Sequence, residues 1–298
     1  MKELYKVSAV VVTYRRENEL RRALDSLATQ TFLDFEIVLI DDNDQTEWNA
    51  KVQQLVTAFK DAHPSICLVC IPNHPGLGSA RARNVGISAS RGEFITFLDD
   101  DDLYLPEKIQ NQYDFMITGG LDYSITDLDL YYDDDTPSER RERTYITQTN
   151  PRALFKYHIL YHLTGTDTMM FKKSYLEKIG GFPPIDVGDD YYLMERAILE
   201  GGRFGHLGKC DVKAYVHRGC GGLSSGHGKI AGENQLYEHK KKFFSQLDRK
   251  SIRYIKMRHH AVLAFAHMRM RRRGRFLKEA LLSFLASPIA CIKILINR

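Results

Sequence analysis

RGEFITFLDDDDLYLP, Arg91 to Pro106, sets four consecutive carboxylates directly behind an apolar segment. Phe94–Leu98 is short, apolar and partly β-branched, and it is bounded by Gly92 and by the acids. That pattern reads as a strand buried on both faces. The acids therefore begin at its C-terminal end. In an open α/β sheet, ligands sit beyond the carboxyl ends of the strands. There Asp99 and Asp101, at i and i+2, face the same side if the chain stays extended, with Cα atoms roughly 7 Å apart. Four like charges repel unless a cation or a basic partner offsets them. Such oxygen ligands suit a hard divalent ion, Mn²⁺ or Mg²⁺; a solvated turn is the alternative reading of the run.

Upstream, Val7–Val12 is a near-continuous apolar strand, followed by Thr13, Tyr14 and a helix-periodic segment with Leu20, Ala23, Leu24 and Leu27. FEIVLIDDND is a second buried strand that also ends in acids, Asp41 and Asp42. Trp48–Phe59 has helical spacing, Ile66–Ile71 is a third strand, and Arg81–Ala89 is helical after the loop NHPGLGSA. The β-α-β-α-β-α-β order predicts a doubly wound, mostly parallel sheet flanked by helices. GLGSAR fits neither GxGxxG nor GxxxxGK[ST] and reads as a strand-to-helix turn, with Arg81 and Arg83 able to meet an anion.

Downstream, the pattern thins from Met116 to Tyr157, where YYDDDTPSERRER reads as an exposed loop or hairpin. Thr168–Phe171 is a strand, and a GGFPP turn then leads to Asp189 and Asp190 heading a helix with Leu193, Ala197 and Ile198 on one face. Carboxylates in a first helical turn are favoured by the macrodipole, as caps or as ionised groups able to take a proton. Asp211–Val216 is another strand, and in the glycine-rich loop after it His217 is a candidate metal ligand or a surface residue.

With 298 residues, 43% of them hydrophobic, the chain can build a sizeable core. MKELYKVSAVVV runs straight into a strand pattern, which argues against a secretory leader. Five cysteines give no disulfide framework; Cys67 and Cys70 read as reduced core thiols. The net charge of +4 hides an asymmetry: from His239 onward 16 Lys and Arg face two acids, and the preceding residues carry 26 basic and 36 acidic groups. A tail of this kind points to an anionic partner. Its uncharged run Ala280–Ile292, 13 residues interrupted by Pro288, is short of the roughly 20 that span a bilayer. A basic cluster beside an apolar helix fits in-plane binding to an anionic membrane surface; a terminal helix packed on its own domain is the alternative. No nucleic-acid recognition motif accompanies the Arg run.

VVVTYRR with QTFLDFEIVLIDDND, then GLGSARARNVGISASRGEFITFLDDDD, then the GGF turn with GDDYYLMER, resemble in order and spacing the inverting nucleotide-sugar glycosyltransferases of family 2, over about residues 7–220. The resemblance implies a GT-A fold over 1–235, with a nucleotide-sugar half (1–115) and an acceptor half (116–235), followed by a basic helical extension (236–298). It implies that Thr13, Tyr14 and Asp42 hold the base of a UDP-sugar, and that Asp99, Asp100 and Arg83 lie at the donor. Asp101 would bind Mn²⁺ or Mg²⁺, and Asp190 would be the catalytic base. The acceptor would be a saccharide, lipid-linked saccharide or glycoprotein used in surface polysaccharide or glycoconjugate synthesis, with the enzyme cytoplasmic and peripheral on the inner face of the cell membrane. Three departures stand out: Asp189 replaces the usual Glu, DDND replaces DDGS, and the longer GLGSARARN leaves Arg81 and Arg83 interchangeable. The alternatives are a non-catalytic glycan- or nucleotide-binding subunit and a sugar nucleotidyltransferase, the latter disfavoured because VVVTYRR stands where its glycine-rich loop would be.

Overall fold

The computed structural model describes residues 4–72, 75–185, 187–216 and 226–296. The elements begin β1 (Tyr5–Thr13), α1 (Asn18–Ala28), β2 (Phe35–Asp41), α2 (Thr46–Ala62), β3 (Cys67–Pro72), α3 (Ser79–Ala89) and β4 (Gly92–Asp99). They continue with β5 (Leu103–Tyr104), α4 (Lys108–Gly119), β6 (Tyr123–Thr126), β7 (Leu128–Tyr132), β8 (Pro137–Arg141), α5 (Pro151–Tyr161), β9 (Met169–Lys172), α6 (Lys173–Lys178), α7 (Asp189–Leu199), β10 (Phe204–Leu207) and β11 (Val212–Val216). The last four are α8 (Gly226–Lys241), α9 (Arg249–Arg269), α10 (Arg273–Ala286) and α11 (Pro288–Ile296).

Seven strands form one sheet in the order β10-β6-β9-β4-β1-β2-β3. β1 pairs in parallel with both β2 and β4, and β2 with β3, as the alternating pattern predicts. The parallel run ends at β9, which inserts antiparallel between β4 and β6. The central strands are mostly apolar because both faces are covered; every residue of β2 is buried. Glu36 is tolerated inside it because Arg91 donates to its carboxylate at 2.7 and 2.9 Å and Ser8 at 2.8 Å. α1 turns Leu20, Ala23, Leu24 and Leu27 to the core, the spacing of one helical face. A smaller sheet runs β5-β11-β7-β8, and its antiparallel β7–β8 pair is the hairpin expected from YYDDDTPSERRER.

Contacts divide the chain into two compact units. The first holds the described residues up to Phe155 together with Leu163–Val216; the second holds Lys156–His162 and the helices from α8 onward. The division differs from the boundary anticipated at 235/236, which falls inside the continuous helix α8. In the second unit Asp248 caps α9, accepting from the Ser251 N–H at 2.8 Å. The His259 ring stacks on Tyr237 with 4.0 Å between centroids.

Candidate active site

The register of β1 brings three strand ends to one level: Thr13 lies beside Asp41 of β2, and Val12 beside Asp99 of β4. Here the acidic run departs from the extended geometry expected of it. The Asp102 N–H donates to the Asp99 carbonyl at 3.1 Å, closing a β-turn that sends Asp99 to Arg83, Asp100 and Asp101 together to Arg16, and Asp102 to the Tyr215 N–H.

Asp99 points toward α3, where Arg83 donates to its Oδ1 at 2.6 Å and, with its other terminal nitrogen, to Oδ2 of Asp189 at 2.7 Å. Arg83 is 7% exposed and lies over the Phe182 ring, whereas Arg81 is exposed. The structure thus separates two arginines that the sequence leaves interchangeable. The next residue, Asn84, donates to the Phe182 carbonyl at 2.8 Å and accepts from the Phe182 N–H at 2.9 Å, fixing the GGF turn ahead of α7. Gly181 has φ +61°, and an added Cβ would stand 2.5 Å from Asn84 Oδ1, so this turn tolerates no side chain there.

Asp100 accepts from the Tyr14 N–H at 3.3 Å and from Arg16 at 2.6 Å. Burial pushes its carboxyl up to about 6 against the pull of Arg16. Asp101 takes the same Arg16 nitrogen at 2.7 Å. Burial works against the charge on Arg16, but Asp100 and Asp101 outweigh it, so the guanidinium is held more firmly protonated than usual. Asp102 turns inward, accepts from the Tyr215 N–H at 2.7 Å and hydrogen-bonds Asp167. Burial, then the neighbouring charge of Asp167, holds Asp102 well above the carboxylate range; burial and the charge of Asp99 raise Asp167. Each therefore holds a proton more firmly than an isolated carboxyl does. Asp167 also accepts from the Asp99 N–H at 2.6 Å, pinning the tip of β4. Lys108 lies near this layer, fully buried over the Tyr104 ring, and burial pushes it down to about 7.

Asp42 receives the Leu77 and Gly78 N–H groups, one on each oxygen, both at 2.9 Å. A Cβ on Gly76 would come 2.6 Å from the Asp42 carbonyl oxygen, so only glycine permits this approach. Tyr14 is 45% exposed. Asn43, which stands where the DDGS pattern has glycine, accepts from the Arg15 N–H at 2.7 Å and ties the two loops together. Asp190 is partly exposed in the first turn of α7, with its Oδ1 2.8 Å from the Tyr191 N–H. His217 lies outside the described residues.

Two sets of oxygens offer themselves to a divalent cation. Asp99, Asp102 and Asp167 place ligand atoms within 4.8 Å of one another, but Arg83 and two backbone amides already engage this inner set, and burial favours the protonated forms of Asp102 and Asp167 over metal-ligating ones. Asp101 is the other. Sequence reading missed Arg16, Asn84, Asp102 and Asp167; the second Arg of TYRR and the Asn of ARN were visible signals for two, while Asp167 sits in TGTDT with no pattern around it.

Asp189 supplies a pH test. Burial pushes it up to about 6, although Arg83 opposes the shift. Its protonation removes one anchor of Arg83, so the rate of the reaction supported here should fall on the acid side with a midpoint near pH 6. Stability through this group moves oppositely. The folded chain binds the proton more tightly than the unfolded one, so the contribution is full below the ordinary Asp value and is lost as pH rises through about 6. Activity and Tm measured from pH 8 to 5 check both signs; an acid limb centred below pH 5 would detach Asp189 from the rate.

The chain has relatives. Residues 8–180 match the model of Glycosyl transferase family 2. UDP-Glc:alpha-D-GlcNAc-diphosphoundecaprenol beta-1,3-glucosyltransferase WfaP of Escherichia coli is 26% identical over 214 residues, 72% of this chain and 78% of that protein. In two further curated relatives the aligned segment takes in 66% and 55% of the relative's own length. Among solved structures, S. aureus TarS 1-349 in complex with UDP superposes with a TM-score of 0.60 at 18% identity, over 94% of this chain and 91% of that one. The mannosyltransferase PcManGT from Pyrobaculum calidifontis, in complex with GDP-Man and Mn2+, gives 0.58 at 16%, over 98% and 88%. These likenesses establish the GT-A fold, and since the family model covers more than half of its residues, the chain belongs to glycosyl transferase family 2.

Proposed function

We propose that the protein is an inverting glycosyltransferase that moves a hexose or N-acetylhexosamine from a UDP-sugar to an acceptor hydroxyl. The observation that carries the reading is the Arg83 bridge. One buried guanidinium joins Asp99, at the tip of β4, to Asp189, at the start of α7, and so holds the donor side and Asp190 in one frame.

In this reading Thr13, Tyr14 and Asp42 receive the base, with Asp42 accepting from a ring N–H, and Asp99 and Asp100 shape the donor site beside Arg83. Asp190 takes the proton of the acceptor hydroxyl as that oxygen attacks the anomeric carbon. The bond from that carbon to the diphosphate oxygen breaks on the opposite face, so one displacement inverts the configuration without a covalent intermediate. The residues fit a divalent cation at Asp101: its carboxylate already draws a positive group, Arg16, and oxygen donors suit Mn²⁺ or Mg²⁺. When bound there, such an ion supplies Lewis-acid stabilisation to the leaving diphosphate. WfaP is named for transfer to a lipid-linked saccharide, which supports a saccharide or lipid-linked saccharide acceptor in surface polysaccharide synthesis, and work at a membrane surface.

Calorimetric titration with UDP tests the cation site. Mn²⁺ should tighten UDP binding to the wild type, and Asp101→Ala should lose at least tenfold of that gain while leaving metal-free binding in place. An unaltered Mn²⁺ dependence would remove Asp101 from the site.

A further inference from the structure

α10 packs with its polarity reversed. Three contacts fix the side that faces α9: Ser283, 1% exposed, donates to the Met257 carbonyl at 2.9 Å, Arg253 donates to the Ala286 carbonyl at 2.9 Å, and Glu279 pairs with His260 at 2.7 Å. At 3.6 residues per turn the opposite side carries Leu277, Leu281, Phe284 and Leu285, which are 64, 58, 45 and 62% exposed. Ile289 and Ile292 of α11 are exposed as well. A helix that only closed its own bundle would turn these leucines inward and the serine and glutamate out.

Charge says what covers this face. Arg273, Arg275 and Lys278 are exposed in the first turns of α10, and Arg271 in the turn before it and Arg269 at the end of α9 are exposed as well. Glu279 is the only acid in the sequence after Asp248, and it is held inward by His260. An apolar strip with exposed cations at its N-terminal end and no exposed acid on its helix complements a surface that is oily below and negative above. α10, 14 residues and about 21 Å long, suits lying in that surface, and among the described residues no helix is long and apolar enough to cross a membrane.

We propose that the outward face of α10 and α11 docks in the plane of an anionic lipid bilayer, with Leu277, Leu281, Phe284 and Leu285 among the acyl chains and the basic residues at the headgroups. The proposal deepens the reading above, resting on it only in that a lipid-linked acceptor would be met at such a surface. Each basic residue at the headgroups contributes about fivefold to partition.

Sedimentation of the full chain with phosphatidylcholine vesicles, with and without 30% phosphatidylglycerol, tests it. The wild type should bind the anionic vesicles and release them in high salt. L281E/L285E and R271Q/R273Q/R275Q should each lose at least tenfold in partition, with unchanged circular dichroism. Binding unaltered by L281E/L285E overturns the proposal. So does failure to bind together with a dimer in ultracentrifugation that L281E/L285E abolishes, since the face would then belong to a second copy of the chain. Hydrolysis of UDP-glucose and UDP-N-acetylglucosamine with Mn²⁺, measured without lipid on the same proteins, separates the two readings. Turnover with no vesicle binding sinks only the docking face, and vesicle binding with no turnover sinks only the transferase reading.

Discussion

Asp190→Asn should reduce transfer by roughly two to four orders of magnitude, the usual contribution of a positioned general base, while UDP binding stays within about twofold by the same reasoning, because a base acts only on the reacting proton. Asparagine retains the oxygen that stands 2.8 Å from the Tyr191 N–H, so the first turn of α7 keeps its local geometry. What it loses is the capacity to accept a proton. Single-turnover transfer with a saturating donor is the measurement that isolates this step. Rates near wild type would place the base elsewhere and leave Asp190 as one more acid at a helix start.

The second large effect is expected at Arg83. Its guanidinium is buried and spends its two terminal nitrogens on Asp99 and Asp189. Removing one member of a buried ion network leaves charge uncompensated and costs about 3–5 kcal/mol. Arg83→Met should therefore lower Tm by about 10 °C and also abolish transfer, because Asp99 and α7 are no longer tied together. Arg83→Lys is the sharper variant: an ammonium keeps the charge but cannot span two carboxylates as a planar fork does. It should recover part of the stability and little of the rate. Full activity in the folded lysine variant would mean that charge alone, and not the bridge, is what the site requires.

Much of the first unit was legible because its strands obey simple rules. β1, β2 and β4 are buried on both faces, so they appear in the sequence as unbroken apolar runs, and each parallel connection carries a helix with a periodic face. β9 did not reveal its direction, since whether Met169–Lys172 pairs parallel or antiparallel with β4 depends on the path of the chain from Gly119 to Gly165 and not on the four residues themselves. The same limit explains the site. Asp99, Asp101 and Asp190 stood out in motifs, but Arg16, Asp102 and Asp167 act through partners 68 to 113 positions away or on another loop. Lys108 gave no sequence signal of its role: a lysine near a helix start carries no mark of burial, yet it is fully buried near Asp167. The tail was legible as basic and apolar; which face of α10 looks outward needed the hydrogen bond of Ser283 to be seen.

The turn from Asp99 to Asp102 also bears on how the gene should be altered. A homopolymeric stretch invites the assumption that its copies are redundant, so that one can stand in for another. Here Asp99 answers to Arg83, Asp102 to the Tyr215 N–H, and Asp100 and Asp101 share Arg16, so scanning mutagenesis should yield at least three unlike phenotypes from four adjacent codons. Inserting or deleting one residue within the stretch would keep its composition nearly intact yet permute every assignment at once, a lesion far worse than most single replacements.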